Sequence, residues 1–143
     1  MRGGSQGGSP FFLTFKYKTP ILMPKIRLNS VQCTTPDEID KDEMYLKMDG
    51  HKIWPPGELY HRVDTGDVED VNLVLEVKEG WNEIEVWDFD FVSLNDKLGV
   101  FKFKVDDTPG KYSTSMTLLE RDSTASYLMF WEILDKDGKS VDD

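Results

Sequence analysis

The chain has a single cysteine, Cys33, and only two histidines, His51 and His61. One thiol leaves no intramolecular disulfide framework and no cysteine-based zinc cluster. The two histidines fall in no recognisable ligand or catalytic spacing, and no Gly-x-Ser-x-Gly elbow presents a serine nucleophile. Carboxylates are plentiful, but nothing in their spacing selects an acid and base pair beside a sugar groove. The chain is therefore read as a binding protein and not an enzyme. No apolar run approaches the about eighteen residues that cross a bilayer as a helix, and the opening residues lack the apolar stretch of a signal peptide. Those absences set the expectation of a cytoplasmic or peripheral-membrane setting. Positive charge is also scarce: 17 Lys and Arg stand against 27 Asp and Glu, a net charge of −10. A nucleic-acid partner is excluded on that ground, because neutralising phosphates takes a basic patch.

What remains is a chain built for one β domain. Its 143 residues, 38% hydrophobic and 12% aromatic, suffice for one compact core. Residues 1–9 have flexible-linker composition, and Met23 stands directly before the first well-patterned strand. Residues 1–22 are therefore expected to be a flexible leader or an appended extension, 23–135 the folded domain, and 136–143 a polar C-terminal tail. Lys25 to Cys33 alternates, with Ile26, Leu28 and Ser30 on one side and Arg27, Asn29 and Val31 on the other. Met44–Met48 and His51–Trp54 flank Asp49-Gly50, a strong hairpin signal. Tyr60 to Asp70 reads as a long acidic connection. Val71–Val77, Asn82–Trp87, Val100–Val105, Tyr112–Leu119 and Ser126–Leu134 follow as strands. Eight short strands at regular spacing, with no helix, predict an all-β, eight-stranded antiparallel β-sandwich. Trp54, Trp81, Trp87 and Trp131 lie at strand positions and are expected in its core.

The densest chemistry lies between two of those strands. Asp88, Asp90 and Asp96 crowd one short loop, where three carboxylates repel unless a cation sits among them. Ca²⁺ takes six to eight oxygens at roughly 2.3–2.6 Å, which suits such a loop. Ser93 and the carbonyls of residues 89 to 95 add neutral oxygens. Phe91, Val92 and Leu94 stand at the apex, where ligand geometry keeps them out of the core, and exposed apolar side chains on a loop tip mark a contact surface.

Asp88-x-Asp90, Ser93, Asp96 and then Gly99 opening the next strand resemble the third calcium-binding loop of C2 domains. The acidic run Asp37 to Glu43 ahead of Tyr45 is similar to the first calcium loop of that family, with Met44 where proline is usual. The resemblance implies that Asp37, Asp40 and Asp42 join Asp88, Asp90, Ser93 and Asp96 as Ca²⁺ ligands, Asp42 being preferred to Glu43 for its shorter side chain. With one strand before the first acidic loop and two after Val105, it implies the circularly permuted, type II topology. It also implies a Ca²⁺-dependent module that meets a phospholipid membrane surface through Phe91, Val92 and Leu94, or brings a protein partner there. Two other readings stay open: a structural or protein-interaction sandwich in which calcium only rigidifies the loops, and a calcium-dependent lectin-like module.

Overall fold

The computed structural model describes residues 23–36, 41–119 and 124–143. The segment 1–22, including the apolar stretch 11–18, lies outside the described residues. Among them there is no helix. The strands are β1 (Lys25–Thr35), β2 (Asp42–Met48), β3 (His51–Trp54), β4 (His61–Val63), β5 (Val68–Glu76), β6 (Gly80–Asp88), β7 (Asp96–Val105), β8 (Gly110–Ser115), β9 (Thr117–Leu118) and β10 (Ser126–Ile133). They form two antiparallel sheets, one ordered β5-β1-β10-β8 and the other β3-β2-β6-β7-β9 with β4 also on β2.

Ten strands reduce to the eight expected runs once two interruptions are recognised. β3 pairs with Leu46–Met48 and β4 with Asp42–Met44, so both lie along one edge of β2, separated by residues 55–60. β8 pairs with β10 in one sheet and β9 with β7 in the other, so a single run changes sheets at Met116. Among the described residues one strand precedes the 36–41 connection and two runs follow Val105, the order of the permuted topology. The stretch read as a long acidic connection holds β4 and the start of β5. His61-Arg62-Val63 is too short to show a period, and only Val63 enters the core.

The core lies between the sheets, because alternate side chains of a pleated strand share a face. β10 sends Tyr127, Met129, Trp131 and Ile133 inward; β6 sends Ile84 and Val86; β7 sends Phe101, Phe103 and Val105. β1 corrects the simple alternation. A bulge between Leu28 and Ser30 shifts the register against both neighbours, so Val31 and Cys33, not Ser30, follow Ile26 and Leu28 into the core. The tryptophans divide as well. Trp54 and Trp131 are buried, whereas Trp87 is half-buried and Trp81 exposed. Both of the latter share the outward phase of β6, opposite Ile84 and Val86.

At the far end the polar tail is tied down. Asp135 Oδ1 accepts the N–H groups of Asp137 and Lys139, Lys111 pairs with Asp142, and Leu134 and Ser140 are buried.

Candidate functional site

Two connections, 64–67 and 89–95, meet the end of β1 and the start of β2 at one end of the sandwich. Cys33 N–H donates to the Asp67 carbonyl (2.8 Å) and Gly66 N–H to the Cys33 carbonyl (2.7 Å), tying the 64–67 turn to the end of β1. Phe89 N–H donates to the Glu43 carbonyl (2.8 Å), and Glu43 N–H donates back to Asp88 Oδ1 (2.8 Å). The start of the 89–95 loop is thereby fastened to the start of β2.

The acidic residues of this end are placed differently from one another. β2 already begins at Asp42, whose side chain turns inward, fully buried, and accepts the Tyr127 hydroxyl at 2.5 Å. Asp88 is 4% exposed and carries the Glu43 N–H. Asp96 is exposed and opens β7 directly opposite Asp88, so two like charges hold facing positions. Asp90 turns back on its own loop. Its Oδ1 accepts Val92 N–H (2.8 Å) and Ser93 N–H (3.3 Å), and its Oδ2 accepts the Ser93 hydroxyl (2.8 Å). These bonds, Val92 N–H foremost, hold the Asp90 carboxyl below its usual value.

Among the described residues no three His, Cys, Asp or Glu side chains converge on a metal site. Asp37 and Asp40 lie outside the described residues. The described carboxylates do not by themselves complete a Ca²⁺ shell, which needs six to eight oxygens around one point: Asp42 faces Tyr127, Asp90 serves its own loop, and among the described residues Asp88 and Asp96 oppose one another.

The apex of the 89–95 loop is apolar and outward. Phe91, Val92 and Leu94 are 70%, 94% and 88% exposed. The loop beneath them is braced. Asn95 Oδ1 accepts Asp90 N–H (2.9 Å), and Asn95 Nδ2 donates to the Tyr45 hydroxyl (2.9 Å). Phe91 meets the edge of Phe89 at 4.8 Å between ring centroids and that of Tyr60 at 5.9 Å, while Tyr60 stacks on Phe89 at 5.3 Å. Asn95, Tyr60 and Phe89 have structural roles that sequence reasoning missed. The available signal was Asn95 beside Asp96 at a loop end, since Asn bonds readily to nearby backbone. Tyr60 gave none, because its contacts to Phe89 and Phe91 cross between loops.

Beside the apex, the outer face of the six-stranded sheet is cationic and aromatic. Lys47 lies 4.8 Å over the Trp87 ring, Tyr45 stacks on Trp87 at 6.1 Å, and Lys97 pairs with Glu85 at 2.8 Å. The Lys97 bond chiefly holds the Glu85 carboxyl below its ordinary value. The Asp64 to Asp70 acids are engaged locally: Asp64 N–H donates to Asp67 Oδ2 (2.8 Å), and Glu69 pairs with His61 (2.8 Å).

No protein-family profile matches the chain, and no curated protein matches it. Solved structures do. A C2 domain of plant Extended Synaptotagmin 1 superposes with a TM-score of 0.50 at 10% identity, covering 80% of this chain and 95% of that one. Another structure described as a C2 domain covers 76% of this chain and 96% of its own, with a TM-score of 0.48 and 13% identity. At such identities the likeness speaks to architecture alone, and the first of the two carries it together with the sheet order and the permuted strand sequence. The fold of this chain is that of a C2 domain.

Proposed function

We propose that this C2-fold module docks on a phospholipid membrane surface through the tip of the 89–95 loop. The observation that carries the reading is the exposure of Phe91, Val92 and Leu94 on a loop whose polar groups are already bonded beneath them. Three large apolar side chains in water are costly, and a hydrocarbon phase takes them without requiring new hydrogen bonds. Asp90 and Asn95 accept the N–H groups of Val92, Ser93 and Asp90, so those donors keep their partners when the tip enters lipid. Among the described residues no helix is long and apolar enough to cross a membrane; the association read here is peripheral.

Calcium has a secondary place in this proposal. Asp88 and Asp96 face one another beside Asp90, and this strand end is where a Ca²⁺ ion would be held, with Asp37 and Asp40 contributing from the first connection and Asp42 kept out by its bond to Tyr127. The ion would supply positive charge at an acidic end and so lessen repulsion from lipid phosphates. Because the described carboxylates already have other partners, calcium strengthens docking in this reading and does not create it.

Sedimentation with phosphatidylcholine vesicles tests the proposal. The wild-type chain is expected to pellet with the vesicles, more strongly with calcium than with EDTA. Phe91→Ala combined with Leu94→Ala removes most of that binding while leaving the melting temperature in place. Failure of the wild type to pellet under either condition overturns the reading, as does full binding by the double variant.

A further inference from the structure

We propose that the 55–60 loop is a second membrane finger, which seats Leu59 in the same phosphatidylcholine surface as the 89–95 tip; this rests on the docking reading above. The loop departs from an edge strand that would otherwise run unbroken from His51 to Val63 along β2. The chain leaves the sheet after Trp54 and rejoins it at His61, and the rings of those two residues lie 5.6 Å apart, closing the neck. Inside the loop, Lys52 Nζ donates to the Pro55 carbonyl at 2.8 Å and also to the Glu58 carbonyl. Two of its three ammonium donors therefore serve the loop's own backbone. Leu59 follows Glu58, 61% exposed. The next residue, Tyr60, joins this loop to the other by stacking on Phe89 and meeting the edge of Phe91. Two outward apolar tips thus share one aromatic brace.

The occupant is a neutral bilayer for two reasons. The described contacts of the tips are inward ones, with Lys52 on loop carbonyls and Asp90 and Asn95 on loop N–H groups, which leaves apolar side chains to face the partner. Charges of both signs flank the tips, Glu58, Asp90 and Asp96 with Lys47 and the Glu85-paired Lys97, and the chain as a whole carries −10, so an uncharged headgroup layer fits better than an anionic one. Aromatic rings such as Tyr60 favour the water–membrane boundary, where this brace would lie.

The test compares three full-length chains on phosphatidylcholine vesicles: wild type, Leu59→Ala and Leu59→Met. Leu59→Ala is expected to weaken binding by about tenfold, the transfer of most of a leucine side chain out of an apolar phase. Its melting temperature should stay in place, since the side chain is largely in water. Leu59→Met, of similar size and polarity, should bind like wild type. A second readout uses Leu59→Cys carrying an environment-sensitive fluorophore, with the buried Cys33 protected from the label. Its emission should shift to the blue on vesicles and be quenched by brominated acyl chains. Wild-type binding with Leu59→Ala unchanged, or a label that brominated chains leave unquenched, overturns the second finger while the 89–95 docking stands. Failure of wild type to bind overturns both.

Discussion

The Tyr127 hydroxyl donates to Asp42 Oδ2 at 2.5 Å, and this one bond joins the inner faces of the two sheets. Burial first, and then the Asp42 charge, push the phenol far above its ordinary value, so it remains a donor at any physiological pH. Tyr127→Phe is expected to cost about 1.5–3 kcal/mol, the range for a hydrogen bond to a charged group. Urea unfolding of Tyr127→Phe, Asp42→Asn and the double variant measures it. The double variant should lose less than the sum of the two single losses; strict additivity would show the pair to be uncoupled.

Cys33 lies beside that pair. Burial, opposed by its bond to Tyr127 and reinforced by Asp42, pushes the thiol up from 9.0 to about 11. The folded chain therefore keeps a proton that the unfolded chain releases. The stabilisation linked to the neutral thiol is complete below pH 9 and is lost as pH rises from 9 to about 11. Denaturant melts across that window should show stability falling with pH, with a smaller fall in Cys33→Ala. Equal slopes in the two chains would assign the whole alkaline loss to other groups.

Asp90 has the opposite sign. Its carboxyl is held below 3.8 by Val92 N–H and then by Ser93, so the loop turn it stabilises is intact above that value. The turn is lost as pH falls through the depressed folded value. Carboxyl NMR titration should find Asp90 below its ordinary aspartate value, and Asp90→Asn should raise hydrogen exchange at Val92 and Ser93 without moving the global melt. Normal titration of Asp90 would mean that the turn is not formed in solution.

Calcium is expected to raise the melting temperature of the wild type, since a ligand that binds only the folded chain stabilises it, by about 2.7 kcal/mol at a hundredfold excess over Kd. Asp88→Asn should remove that response, because it takes the charge from the Asp88–Asp96 pair. Asp67→Asn should leave it, because Asp67 is bonded within its own turn to Asp64 N–H. A response lost in Asp67→Asn and kept in Asp88→Asn would move the ion to the 64–67 turn.

The sandwich was legible in the sequence because its signals are local. Alternation marks each long strand, Asp49-Gly50 marks the hairpin, and the eight runs keep their order in the structure. What was illegible depends on pairing across the chain. The Leu28–Ser30 bulge appears only against β5 and β10, and it exchanges Ser30 for Val31 in the core. The apolar apex could be read from the Phe91-Val92-x-Leu94 spacing, whereas its bracing by Tyr60 and Asn95 could not. For the acids, sequence shows charge but not direction. Asp42 and Asp90 read alike as loop carboxylates, yet one is fixed beneath a tyrosine in the core and the other folds onto its own loop.

β1 and β10 lie side by side and antiparallel, with Ile26 opposite Ile133. The first residues of β1 and the last of β10 thus share the end of the sandwich opposite the 89–95 tip, about 35 Å away by the length of an eleven-residue strand. A tension applied between these two ends would load the rungs of the β1–β10 ladder one after another from Ile26–Ile133 onward, and not all together. The domain would open as a zipper does, at low force, and the apolar tip would be the last part of the sandwich to feel the pull.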